Sequence, residues 1–259
     1  MSARIAIGVV LLAALLPSAV RAGTCQATRS WVPVVELYTS QGCSSCPPAD
    51  AWLGSLGQAA EALQVVPLAF HVDYWDYLGW RDPFSLGAHS ARQRRLARAE
   101  GGSVVYTPQV RVSGDDFRNW RSADAVRRTL AAKMPQRPGN VTLALDTGSG
   151  TVRLDARSTL PPDTVGFIAL YERMLGSKVS AGENAGRTLQ HDFVVRRLIG
   201  PFAPDAQGRL AVLQDIALEA GWKHASLGVA LIQADADSGA ALFGASLAFC
   251  ATDRGGSAH

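Results

Sequence analysis

The chain has 259 residues, 47% of them hydrophobic, with 25 Lys and Arg against 22 Asp and Glu. So balanced a charge excludes binding to nucleic acid or to a membrane surface by electrostatics alone. The first 22 residues hold Arg4 and Arg21 and no acid, so the net charge of +3 falls to +1 without them, and about 237 residues remain, enough for one large domain or two modest ones.

The N-terminal stretch reads as an export signal: Arg4 gives a positive start, Ile5 to Leu16 is a short apolar run, and Val20-Arg21-Ala22 offers a small-residue cleavage site before Gly23. No later run is long and apolar enough for a membrane helix. A periplasmic or secreted protein is expected, with no membrane insertion. Val34 to Thr39 is then a short apolar strand, Ala49 to Leu63 has helical spacing, and Val65 to Val72 is a second strand, which together predict a βαβ unit. Pro83 opens a further helix through Ala99 with its arginines on a solvated face, and Gly101-Gly102 ends it. Gln109 to Ser113 and Phe117 to Trp120 flank Gly114-Asp115-Asp116, a hairpin signal, and Ser122 caps a last helix over Ala123 to Lys133. Met134 to Asn140, with Pro135, Pro138 and Gly139, is the linker candidate. Beyond it the pattern predicts strands at Val141 to Asp146, Val152 to Ala156, Val165 to Tyr171, Phe193 to Leu198, Leu227 to Ala234 and Ala241 to Phe249, suggesting a small sandwich.

Four cysteines in an exported chain allow three connectivities. Cys43 and Cys46 stand two residues apart, whereas Cys25 and Cys250 stand at the ends of the mature chain. A close pair plus a terminal structural disulfide, Cys25 to Cys250, leaves no thiol stranded in an oxidising compartment. The close pair follows a strand and precedes a helix, where unpaired N–H groups and the helix dipole favour a thiolate. Cys43 is therefore the expected attacking sulfur and Cys46 the resolving one. Pro47 and Pro48 fit the first helical turn. Tyr106-Thr107-Pro108 precedes the hairpin strand, and a cis bond before Pro108 would leave backbone groups free for a bound peptide.

The runs Val35 to Asp50 (VELYTSQGCSSCPPAD), His71 to Trp80 (HVDYWDYLGW) and Gly182 to Arg187 (GENAGR) resemble a secreted bacterial family catalogued as a domain of unknown function. That family is similar to thioredoxin in its first half and adds a β-rich part. The resemblance implies an α/β fold: a signal over 1–22, a thioredoxin-like domain over 23–134, a smaller all-β domain over 140–250 and a tail over 251–259. The chain departs from thioredoxin in lacking a Trp before Cys43 and a Gly-Pro pair between the cysteines.

These observations predict a thiol–disulfide oxidoreductase whose catalytic residues are Cys43 and Cys46, whose substrate-binding residues are Thr107, Pro108 and Trp75, and whose partners are exported protein thiols or disulfides and a redox partner. The alternative is a non-catalytic module that binds a metal or a protein. No cofactor is implied and no residue is assigned to a metal. His71, in an apolar strand, is read as a satisfied core histidine, and His89, beside Arg92, Arg94 and Arg95, as part of a solvated face. Asp73 is a candidate proton acceptor for Cys46. Tyr74, Trp75, Tyr77 and Trp80 offer an apolar wall for a peptide, although packing explains them equally. Gly182 to Arg187, with His191 and Asp192 after it, is either a functional loop reaching toward the first half or a surface loop, and the surface loop is preferred on base rates.

Overall fold

A computed structural model describes residues 23–137, 139–147 and 150–250. The expected signal, residues 1–22, and the tail, 251–259, lie outside the described residues, as do Pro138 of the linker candidate and two residues of the turn after Thr147. The first half runs β1 (Gly23–Ser30), β2 (Val32–Thr39), α1 (Pro47–Gln58), α2 (Ala60–Leu63), β3 (Val66–His71), α3 (Gly87–Ala99), β4 (Gln109–Val112), β5 (Asp115–Asp116) and α4 (Ala123–Ala132). Then come β6 (Asn140–Thr147), β7 (Thr151–Thr159), β8 (Thr164–Glu172), β9 (Leu175–Lys178), β10 (Thr188–His191), β11 (Val194–Phe202), β12 (Arg209–Ala217), β13 (Leu227–Asp235) and β14 (Ala241–Ala248). Among the described residues no helix is long and apolar enough to cross a membrane.

Six strands close into a barrel. They hydrogen-bond in the order β2, β3, β11, β8, β13, β14, and β14 returns to β2 through Phe243 opposite Pro33 and Gly244 opposite Val32. β2 and β3 are parallel, as are β3 and β11, while the remaining pairs in the ring are antiparallel. Successive side chains point to opposite faces. Val34 and Tyr38 therefore join Phe70, Phe167, Tyr171 and Ile232 in one core, while Val35 and Leu37 join Leu53 of α1 and Val126 of α4 in another. A strand buried on both faces reads as a continuous apolar run, which is the character of β2, β3, β8 and β13. Closure brings two backbones together at Gly244, where a Cβ would lie 2.8 Å from Val34 Cγ2; only glycine permits that approach.

Outside the ring, β1, β6, β7 and β12 form an antiparallel sheet. Leu143, Leu154 and Val212 pack from this sheet on Ile168, Val229 and Leu231 of the barrel. Cys25 on β1 is bonded to Cys250, with Cα atoms 5.9 Å apart. β4 and β5 extend the barrel sheet from the C-terminal half of β2.

This arrangement overturns the expected fold class, a thioredoxin-like α/β domain followed by a smaller all-β domain. The chain is mostly β, and strands of both halves share one closed sheet: β3 takes β11 on its free edge, and β2 takes β14. The local pattern identifies most strands but carries no record of their partners. α3 begins at Gly87 rather than Pro83, and Phe117 to Trp120 forms no strand. The face of α3 read as solvated is also only partly so. Arg94 and Arg95 are exposed, but His89 and Arg92 are buried, Arg92 donating to Glu36 Oε1 at 2.6 Å.

Candidate functional site

β2 ends at Thr39, and the chain turns through Ser40 to Cys46 before α1 begins at Pro47. The turn is closed by Cys43 N donating to Ser40 O, by Cys46 N donating to Cys43 O and by the Cys43–Cys46 disulfide, whose Cα atoms are 5.4 Å apart. Two first-turn N–H groups of α1 are absent, because Pro47 and Pro48 carry none. The next two, of Ala49 and Asp50, bond to Cys46 O. The first turn of α1 therefore keeps no free backbone donor for a Cys43 thiolate, contrary to the expectation from placement alone. The polar neighbour of Cys43 Sγ is Ser45 Oγ, 3.3 Å away.

Both sulfurs are covered. Cys43 is 1% and Cys46 0% exposed, whereas Ser44 and Ser45 between them face solvent. Cys43, the expected attacking sulfur, is thus buried in the disulfide form. The GENAGR segment is seated on this turn: Glu183, Ala185, Gly186 and Arg187 are exposed, as a surface loop would be, but Asn184 is buried against the turn. Asn184, fully buried, donates from Nδ2 to the carbonyl oxygens of Gln41 and Cys43, both at 2.9 Å. Arg187 fixes the Asn184 amide by donating to its Oδ1 at 2.6 Å. Glu183 Oε2 accepts from Ser44 N at 2.9 Å, and that hydrogen bond holds its carboxyl below the usual range. Gly182 and Gly186 have φ of 76° and 80°, the left-handed conformation that lets the segment fold back.

The other expected site residues gather around the same turn. Trp75 donates from Nε1 to Thr107 Oγ1 at 2.8 Å, and its Cβ lies 2.9 Å from where a Cβ on Gly42 would stand. The Thr107–Pro108 bond is cis. Ser45, Tyr106, Pro108, Phe117, Trp120 and Arg121 line a cleft of about 410 Å³ beside the turn. Asp73 is engaged at α3, where its carboxylate accepts from the Ser90 hydroxyl, and Tyr77 is exposed. Cys25 lies on β1 of the outer sheet and Cys250 just beyond β14.

Beneath the turn lies a buried polar cluster that the sequence reading missed. His71, at the end of β3, is fully buried and its Nδ1 faces Asp82 Oδ2 at 2.7 Å. Burial alone would lower the pKa of His71, but the charge and hydrogen bond of Asp82 and the charge of Asp50 outweigh it and raise the value above the ordinary one. Burial likewise works to raise the Asp82 carboxyl, and its charged His71 partner with the N–H groups of Gln41 and Phe84 holds it down. Asp50 on α1 and His191 at the end of β10 complete the cluster, Oδ2 to Nδ1 at 3.7 Å. His71 is not a satisfied core histidine, since its Nε2 has no partner. One signal was available: Asp50 stands one helical turn after Cys46, on the inner face of α1.

No curated protein matches the sequence. The chain is similar to the crystal structure of protein AGR_C_4864 from Agrobacterium tumefaciens, a structural genomics target, with 26% identity and a TM-score of 0.60 over 83% of this chain and 93% of that one. A family model described as "Protein of unknown function (DUF1223)" matches residues 34–233, so a chain with a cysteine pair at the mouth of a closed β-barrel belongs to that family.

Proposed function

We propose that the protein is an exported thiol–disulfide oxidoreductase working through Cys43 and Cys46. The observation that carries this reading is the Cys43–Cys46 bond in the turn between β2 and α1, beside the Pro108 cleft. A substrate thiolate attacks Cys43 Sγ, a mixed disulfide forms and Cys46 leaves as a thiolate. A second substrate thiolate attacks its own half of that bond and expels Cys43. The substrate loses two electrons and gains a disulfide, and the protein becomes a dithiol; the reverse sequence reduces a substrate. Ser45 Oγ is placed to donate to a Cys43 thiolate. Both sulfurs are buried, and Asn184 and Glu183 seat the GENAGR segment on their turn, so the opening proposed for exchange is a lifting of that segment.

Equilibration of the full-length protein with glutathione buffers, read by mass spectrometry, tests the reading. Full conversion between the disulfide and the dithiol is expected, and a Cys46→Ser variant should accumulate mixed disulfides on Cys43 when its thiolate attacks oxidised glutathione or a disulfide-bonded peptide. A pair that stays oxidised in reducing buffers, with no mixed disulfide on the variant, would rule the activity out.

A further inference from the structure

Asp50, His71 and His191 are all at least nine-tenths buried, and one ligand-type atom from each lies within 4.8 Å of the other two. The same three side chains each have an atom with no hydrogen-bond partner: Asp50 Oδ2, His71 Nε2 and His191 Nδ1. Buried polar atoms without partners are rare and destabilising. Three that converge on one point mark a place for a ligand. Two imidazole nitrogens and one carboxylate oxygen suit a first-row transition ion such as zinc, and suit calcium or magnesium poorly because those prefer all-oxygen shells.

The surroundings match a metal site. His71 presents Nε2 inward while Nδ1 faces Asp82, the carboxylate–histidine arrangement that orients a ligating imidazole. Asp82 is itself held by Gln41 N and Phe84 N, both at 2.9 Å. The Phe84 ring packs edge-on against both imidazoles, at 5.4 and 5.6 Å between centroids, and supplies an apolar wall. Ligand atoms about 2.0–2.1 Å from a tetrahedral zinc lie about 3.3 Å from one another. The observed separations therefore close by side-chain adjustments of less than about 1 Å per atom.

We propose that Asp50, His71 and His191 bind one divalent transition ion beneath the cysteine turn. Neither sulfur is a ligand, so the site stands independently of thiol–disulfide exchange. His191 must coordinate through Nδ1 and carry its proton on Nε2. At present Nε2 faces Gln41 Nε2 at 3.1 Å, because Trp80 Nε1 donates to Gln41 Oε1 at 3.0 Å and Ser177 Oγ accepts from Gln41 Nε2 at 2.9 Å. Metal binding therefore turns the Gln41 amide so that Oε1 accepts from His191, and Trp80 loses its acceptor.

The test uses the full-length protein with both disulfides intact, which removes thiolates as competing ligands, and zinc as the probe. Calorimetry is expected to give one bound zinc, and Asp50→Asn and His191→Gln are each expected to bind at least about 100-fold more weakly while keeping the wild-type circular dichroism spectrum. If either variant fails to fold, X-ray absorption of the wild-type complex decides: nitrogen and oxygen neighbours at about 2.0–2.1 Å support the site, and a sulfur neighbour at about 2.3 Å overturns it. The Trp80 indole N–H resonance, assigned with Trp80→Phe, should move on saturation with zinc. No zinc binding, binding unchanged in folded variants, or a Trp80 resonance that stays in place with zinc bound would each overturn the proposal.

Discussion

Asn184 donates its amide to the carbonyl oxygen of Cys43 at 2.9 Å, across 141 residues of sequence. A second bond from the same nitrogen reaches Gln41 O, also at 2.9 Å. Each is worth about 1 kcal/mol. Loss of both, about 2 kcal/mol together, means that Asn184→Ala should populate the lifted segment about thirty times more and speed reduction of Cys43–Cys46 by a water-soluble phosphine by a similar factor. The rate is read by trapping thiols and weighing the protein, and an unchanged rate would mean that the segment does not gate the sulfurs.

The Glu183 tether gives the same segment a pH dependence. The Ser44 N–H holds the Glu183 carboxyl below its ordinary value. A depressed carboxylate contributes its stabilisation above the unfolded value and loses it as pH falls through the folded one. Acidification from neutral to below the normal glutamate range should loosen the segment, and Glu183→Gln should remove that pH dependence. Hydrogen exchange of the Ser44 amide, corrected for its intrinsic rate at each pH, is the measurement; equal protection in both proteins throughout would count against the tether.

Glu36 and Arg92 form an ion pair inside the barrel, at 1% and 5% exposure. Arg92 also donates to Gly239 O at 2.9 Å and lies over the Phe70 ring. Removing one partner leaves the other charge buried, at about 3–5 kcal/mol. Arg92→Met should lower the unfolding free energy read from urea titration by that amount, and Glu36→Leu added to Arg92→Met should recover part of the loss. A double variant no more stable than Arg92→Met would show that the pair's charges are not the cause.

His89 gives the folded protein a second response to acid. Burial, the largest influence, pushes its pKa down to about 4. The unfolded chain takes up this proton near pH 6.5, whereas the native protein resists it until about pH 4. Native stability should thus decline by about 3 kcal/mol from this group as pH falls across that window. Denaturant titrations at pH 7, 5.5 and 4.5 should show a shallower fall in His89→Gln than in the parent; parallel curves would remove His89 as the cause.

Elements with local signals were legible in the sequence. Ser122 accepts from Ala125 N at the start of α4, as an N-cap should, and the run of β2 is apolar because both its faces are covered. β12 was not read as a strand: Leu210, Val212 and Ile216 point inward, but Leu213, 70% exposed, breaks the alternation. β1 has few apolar side chains and is a strand because it pairs along its length with β6. The cysteine pair was visible at once, since its two members are neighbours in sequence. Its surroundings were not, because Asn184 and His191 arrive from far along the chain and no local pattern encodes which carbonyl or carboxylate they will meet.

Ring closure orders the events by which the molecule matures. β2 leaves synthesis early, yet its N-terminal half finds β14 only when residues near 244 exist. β3 likewise waits for β11. Until then the turn that carries Cys43 and Cys46 hangs from a sheet that is still open at β2 and β3. The last strand to appear, β14, is the one that closes the ring to which that turn is attached.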